Sequence, residues 1–315
     1  LVHVSYAVFL LVPLLAVGWL NRTFLIRAFE RLRRSALAEA VVIAAIVVAV
    51  AILTELRPGT DATAAPKAPL AAALPPQLPA RDAVVDAREL GALGVAVARV
   101  PGTATVTLLG PDGTGVDGRD VLVDGRPASA CGSGCYRGPA APGPLTVTVD
   151  GRALRFEIPD RAPDATALVR SMTRRYRSAR SVVFDERLRS GPSSLLVTRF
   201  VAVAPNRLRY DIRGGSSAIV IGATRWDRDS PKGPWLRSEQ TPLDATEPYW
   251  QNPTNVHLVA PNVVTFLDRR IPAWFRVTVV AGRPSVSRMT AAAHFMVDRY
   301  VGFDTGVAVS PPPSR

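Results

Sequence analysis

The chain reads as a mixed protein: two transmembrane α-helices, then an all-β sandwich, then an α+β domain in which a curved antiparallel sheet meets one long helix. Three observations predict this. Residues 1–56 hold two long apolar runs almost free of charge, residues 81–160 alternate with a period of two, and residues 164–178 carry one helical stripe ahead of many short strands.

Charge gives less direction. Lys and Arg total 38 against 26 Asp and Glu in 315 residues, a formal +12, yet only Lys67 and Lys232 are lysines. Arginine excess beside abundant Ala, Gly and Pro is the pattern of a GC-rich coding sequence. No basic element with interleaved aromatics points to nucleic acid, so no nucleic-acid partner is expected. Three His, three Met and two Cys exclude a multi-Cys or multi-His metal centre.

Leu1 to Leu20 carries only His3 as a possible charge, and twenty helical residues span ~30 Å, one hydrocarbon core. A second apolar run extends from Ala36 to Leu56, with Glu39 near one end and Thr54-Glu55 at the other. Between them Arg22, Arg27, Arg31, Arg33 and Arg34 face Glu30 alone. A short Arg-rich loop stays cytoplasmic, which predicts a multi-pass protein of the cytoplasmic (inner) membrane, its lipid bilayer a partner, with residues 58–315 extracytoplasmic.

Asn21-Arg22, Leu32-Arg33-Arg34-Ser35, Glu39, Thr54 and Pro58 together resemble the last two membrane helices of the copper resistance D (CopD) family. The resemblance covers residues 1–58 and implies copper transport or homeostasis, with further helices upstream of Leu1. Family members often carry Lys where this chain has His3, which leaves His3 a replacement for that Lys, a ligand, or a helix-end residue near the interface.

Residues 1–57 are thus read as the membrane part and 58–80 as a linker, whose prolines at 58, 66, 69, 75, 76 and 79 impose an extended spacer. Over 81–160, short alternating runs are punctuated by Pro101-Gly102, Pro111-Asp112-Gly113, Asp124-Gly125 and Asp150-Gly151, the pattern of an immunoglobulin-like β-sandwich. Cys131 and Cys135 admit three readings: a soft Cu(I) ligand pair, a redox pair with non-standard spacing, or a structural disulfide in an oxidising compartment. The Cys-Gly-x-Gly-Cys-Tyr run is similar to one in small domains appended to CopD-type proteins.

From 161 to 310 the expectation is one helix and a strand meander. Ala165, Leu168, Val169, Met172 and Tyr176 form the helical stripe, with Asp164 as N-cap. Eight strands follow: Val182–Arg189, Leu195–Ala204, Arg207–Arg213, Ala218–Asp227, Trp235–Thr241, Val263–Asp268, Trp274–Ala281 and Ser285–Phe303. Val203-Ala-Pro-Asn-Arg-Leu-Arg-Tyr210 and Gly222-Ala-Thr-Arg-Trp226 resemble the LolA- and LppX-like lipoprotein-carrier half-barrel, which implies an apolar cavity for acyl chains. Phe184, Phe200, Tyr210, Trp226, Trp235, Trp250, Phe266, Trp274 and Phe275 either line such a cavity or pack an ordinary sheet on the helix.

No HExxH, GxSxG or P-loop pattern occurs, and no catalytic residue is assigned. His257 reads as a solvated histidine in a Pro/Asn-rich loop. His294 and Met296, two apart on one strand, are copper-compatible and count as low-weight metal candidates with His3. The function expected is therefore a non-enzymatic membrane protein of copper transport, with copper its one conceivable cofactor and a copper carrier outside the membrane as a partner. Two other readings stay open: an envelope protein holding an apolar lipid ligand, and a thiol-redox accessory protein.

Overall fold

Alternating strands and turn dipeptides organise the molecule. The computed structural model describes residues 75–313, which belong to one compact unit, Ala71–Arg315. The first strands are β1 (Val84–Leu90), β2 (Leu93–Val100), β3 (Thr103–Leu109), β4 (Val121–Val123), β5 (Arg126–Pro127), β6 (Ser129–Gly132), β7 (Cys135–Pro139), β8 (Leu145–Val149) and β9 (Arg152–Phe156). They form a five-stranded sheet, β1-β2-β3-β7-β6, and a four-stranded sheet, β5-β4-β8-β9. Leu145, Val147 and Val149 point inward from β8 while Thr146 and Thr148 stay half-buried, and Val97, Leu108, Val121 and Phe156 complete the core between the sheets. Asp124-Gly125 and Asp150-Gly151 turn their hairpins with both residues at positive φ, the mirror-image turn that suits strand twist.

Arg99 of β2 is buried inside this sandwich without a carboxylate. Its guanidinium donates to the carbonyls of Gly143 (2.5 Å), Ile158 (2.7 Å) and Ala141 (2.7 Å), tying β2 to the segments flanking β8 and β9. Cys131 and Cys135 are joined by a disulfide across the β6–β7 hairpin, with Cα atoms 5.0 Å apart.

After the sandwich come helix α1 (Thr166–Arg177) and eleven strands: β10 (Ser181–Arg189), β11 (Leu196–Val203), β12 (Arg207–Ile212), β13 (Ser217–Ile221), β14 (Thr224–Arg228), β15 (Leu236–Glu239), β16 (Pro253–Ala260), β17 (Val263–Asp268), β18 (Ala273–Val280), β19 (Arg283–Ala291) and β20 (His294–Phe303). They make one antiparallel sheet in the order β15-β14-β13-β12-β11-β10-β20-β19-β18-β17-β16. Val169, Met172 and Tyr176 bury the helix on its inner face. The α1 N-cap is Ala165, and the Asp164 carboxylate instead accepts from the Thr166 amide and hydroxyl.

This corrects the expected fold class. The described residues are mainly β, with 53% in strands and a single three-turn helix, where a mixed chain with an α+β carrier domain was expected. The sheet outgrew its prediction for local reasons. Ala218–Asp227 and Ser285–Phe303, each read as one strand, fold back as hairpins, and Pro253 to His257, read as a loop, belongs to strand β16. Pro253 is tolerated because it opens an edge strand, where no ladder partner needs its missing N–H. Nor does the membrane reading survive among the described residues, where no helix is long and apolar enough to cross a bilayer. The two spans read over 1–20 and 36–56 lie outside those residues.

The large sheet is covered on both sides. Helix α1 occupies the inner face, while β1 crosses the outer face of β16 to β19, where its Val85 and Ala87, with Leu109 of β3, pack with Leu267 and Trp274. Asp86, 1% exposed in this seam, accepts from Arg276 at 3.0 Å and lies 3.6 Å from Arg288. Burial, with the Arg88 and Arg276 charges behind it, pushes Arg288 below the usual guanidinium range, and Asp86 opposes that shift. Removing the carboxylate leaves two half-buried cations without their partner. Asp86→Ala is therefore expected to cost about 3 kcal/mol, read as a lower urea midpoint.

Candidate functional site

Strand register lines the inner face with three rungs, because cross-strand partners point the same way. The first rung runs Leu196, Leu188, Met296, Met289, Phe275 and Phe266. The second runs Thr198, Glu186, Asp298, Ser287, Val277 and Val264. The third runs Tyr210, Phe200, Phe184 and Tyr300. A polar row thus lies between two apolar ones, at the β10–β20 junction. Two inner-face hydrophobic clusters meet there without merging: Val169, Met172, Phe266 and Phe275 on one side, Tyr176, Val182 and Phe184 on the other.

Beside the first rung opens a cavity of about 590 Å³. Phe275, Met289, Ala291, Ala292, Ile271, Pro272 and Tyr249 form its apolar wall, Leu109 and Gly113 reach it from the sandwich, and Gln251, Asp268, Arg270 and His294 add polar groups. Ile271 is 71% and Tyr249 48% exposed, so the cavity has an apolar rim. Asp268 fixes that rim by accepting from the backbone amides of Gln251 (2.8 Å), Asn252 (3.1 Å) and Arg270 (3.1 Å).

Tyr249 links cavity and polar row, its hydroxyl donating to Glu186 at the long distance of 3.5 Å. Asp298 is fully buried and neither carboxylate oxygen has a hydrogen-bond partner; the Ser287 hydroxyl beside it has none either. Burial first, and then the Glu186 charge, raises Asp298 well above the usual carboxylate range, while the Tyr300 hydroxyl offsets part of this from outside ordinary hydrogen-bond geometry. Glu186 is also raised, again by burial first. Two carboxyl groups facing each other across a strand pair cannot both ionise cheaply in such surroundings.

The residues predicted from sequence are scattered by comparison. Phe184, Phe200, Tyr210, Trp250, Phe266 and Phe275 do face the helix side, in stacked and edge-on contacts. Trp274 packs outward on the sandwich, Trp226 pairs with Ile219, and Trp235 lies under the Arg228 guanidinium. His294 is exposed and lines the cavity, Met296 is buried on the first rung, and no group of three His, Cys, Asp or Glu gathers for a metal among the described residues. His257 is a correction: it sits in β16, half-buried, with Nδ1 buried and unpartnered. Cys131 and Cys135 are bonded, so the pair presents no thiolate for Cu(I). His3, Arg22, Arg27, Arg31, Arg33 and Arg34 lie outside the described residues.

Glu186, Asp298 and Ser287 went unread. Their signal was present: an acid interrupts the apolar face Val182, Phe184, Leu188 in β10, and another sits between Met296 and Tyr300 in β20. No protein-family model matches the chain, and no curated protein matches it either.

The two raised carboxyls make the stability of the fold depend on pH. The folded state holds protons that the unfolded chain has released, so their contribution falls as pH rises from the ordinary carboxylate range toward the raised folded values. Asp298→Asn should therefore melt several degrees above the parent protein at pH 8 and alongside it at pH 4, in thermal scans followed by circular dichroism.

Proposed function

We propose that this protein binds an apolar, chain-like ligand in the cavity beside the first rung. The observation that carries this is the cavity itself: about 590 Å³, walled by Phe275, Met289, Ala291, Pro272 and Ile271. Binding pockets for small molecules run from ~300 to ~1,000 Å³, mostly apolar with a few placed polar groups. Exposure of Ile271 and Tyr249 at the opening supports the same reading, since exposed large apolar side chains that cluster mark interaction sites. A disulfide is kept in oxidising surroundings, so the ligand is met outside the cytosol. The role proposed is holding a ligand rather than converting it.

Organic extracts of the purified full chain, analysed by mass spectrometry, should contain a reproducible chain-like compound. Met289→Trp, which fills the cavity from β19, should weaken uptake of the neutral fluorophore N-phenyl-1-naphthylamine at least tenfold, about 1.4 kcal/mol. Empty protein that also takes up no probe would defeat the proposal.

A further inference from the structure

We propose that the polar row Thr198, Glu186, Asp298 and Ser287 seats an ammonium group, so that the ligand is an amphiphile with a protonated primary amine on its apolar chain. This rests on the apolar-ligand reading above and adds the chemistry of the head.

The row is a built feature of the sheet. Four polar residues stand side by side on four adjacent strands, β11, β10, β20 and β19, and none is more than 6% exposed. Apolar side chains flank them on the next rungs in both directions, Leu188 and Met296 on one side, Phe184 on the other. Burying such groups without partners is costly, because each gives up its bonds to water and gains none in return.

What the row lacks is a donor with positive charge. Both Asp298 oxygens and the Ser287 oxygen are unpartnered, and Glu186 has only the distant Tyr249 hydroxyl. The nearby guanidiniums of Arg276 and Arg288 belong to the opposite face, beside Asp86. On the inner face, Arg225 is committed to Asp227 and the Tyr210 hydroxyl. An ammonium brings three N–H donors and the missing charge, and charge-assisted bonds to carboxylates are the strong ones. The rings of Tyr176 and Tyr300, centroids 5.8 Å apart, offer π faces that attract a cation. An anionic head would meet two carboxyl groups instead. Tyr249 joins the row to the cavity, since it both walls the cavity and donates to Glu186.

Isothermal titration of the full chain at neutral pH with octylamine, octanol and octanoate tests the assignment. Octylamine should bind at least tenfold more tightly than either comparison compound. The double substitution Glu186→Gln and Asp298→Asn should erase that advantage, so that octylamine binds no more tightly than octanol. Octanol or octanoate binding the parent protein as tightly as octylamine would overturn the inference, as would an amine preference that survives the double substitution. Should the double variant fail to fold, the head-group series on the parent protein still decides. If octanol binds and the amine gains nothing, the head-group assignment alone falls; if none of the three binds, the apolar-ligand reading falls with it.

Discussion

Strands β17 to β19 are packed on both faces, and everything around them answers to that constraint. An antiparallel sheet normally turns one face to water, and here neither is free: α1 covers one, β1 the other. Alternation in these strands is therefore apolar against apolar in Leu267 and Phe266, or Trp274 and Phe275. Where a charge does intrude, it must be met from the opposing layer. Asp86 does this for Arg276 and Arg288 on the outer face, with β1 carrying the carboxylate into the seam. The sandwich is thus a second wall of the large sheet rather than an appendage.

On the inner face the same rule is broken. Glu186 and Asp298 are buried with no cation from α1 or any neighbouring strand to meet them. Polar groups kept in a core against their desolvation cost are usual at sites of binding or chemistry, where local rules of foldability give way. The location fits: the polar row lies where the two inner-face clusters stop short of each other, one rung below the cavity. Stability and ligand capacity are in tension at this one place, and raised carboxyl pKa values are its physical mark.

How far this was legible from sequence depends on the range of the interaction. Turns are local, and Asp124-Gly125, Asp150-Gly151 and Ala281-Gly282 stand where hairpins reverse. The stripe Val169, Met172 and Tyr176 was equally readable, since helix periodicity needs no partner. Hairpins without such dipeptides were not. Ala292-Ala293 reverses β19 into β20 with Ala293 at positive φ, a conformation alanine rarely signals, so two strands read as one. That error hid the site, because Ser287 and Asp298 become neighbours only once the chain folds back between them. The strand at 253–260 was masked in the same way, by a proline acceptable only at a sheet edge whose position is set by distant strands.

Long-range dependence also explains what the disulfide holds. Leu109 and Gly113 contribute to the cavity from the end of β3 and the turn beyond it, and that turn has little packing of its own. It is held from behind. Gly134, inside the Cys131–Cys135 loop, accepts from the Leu108 amide at 2.8 Å and packs so closely that a Cβ there would stand 2.5 Å from the Leu108 carbonyl oxygen. The Leu108 carbonyl in turn accepts from Val116 at 3.0 Å, closing the turn that presents Gly113. A Cβ on Gly113 would reach within 3.9 Å of Ala292, at the very reversal between β19 and β20. The bridge therefore acts at one remove from the ligand: it stiffens a hairpin, the hairpin backs a turn, and the turn supplies the sandwich's part of the cavity wall.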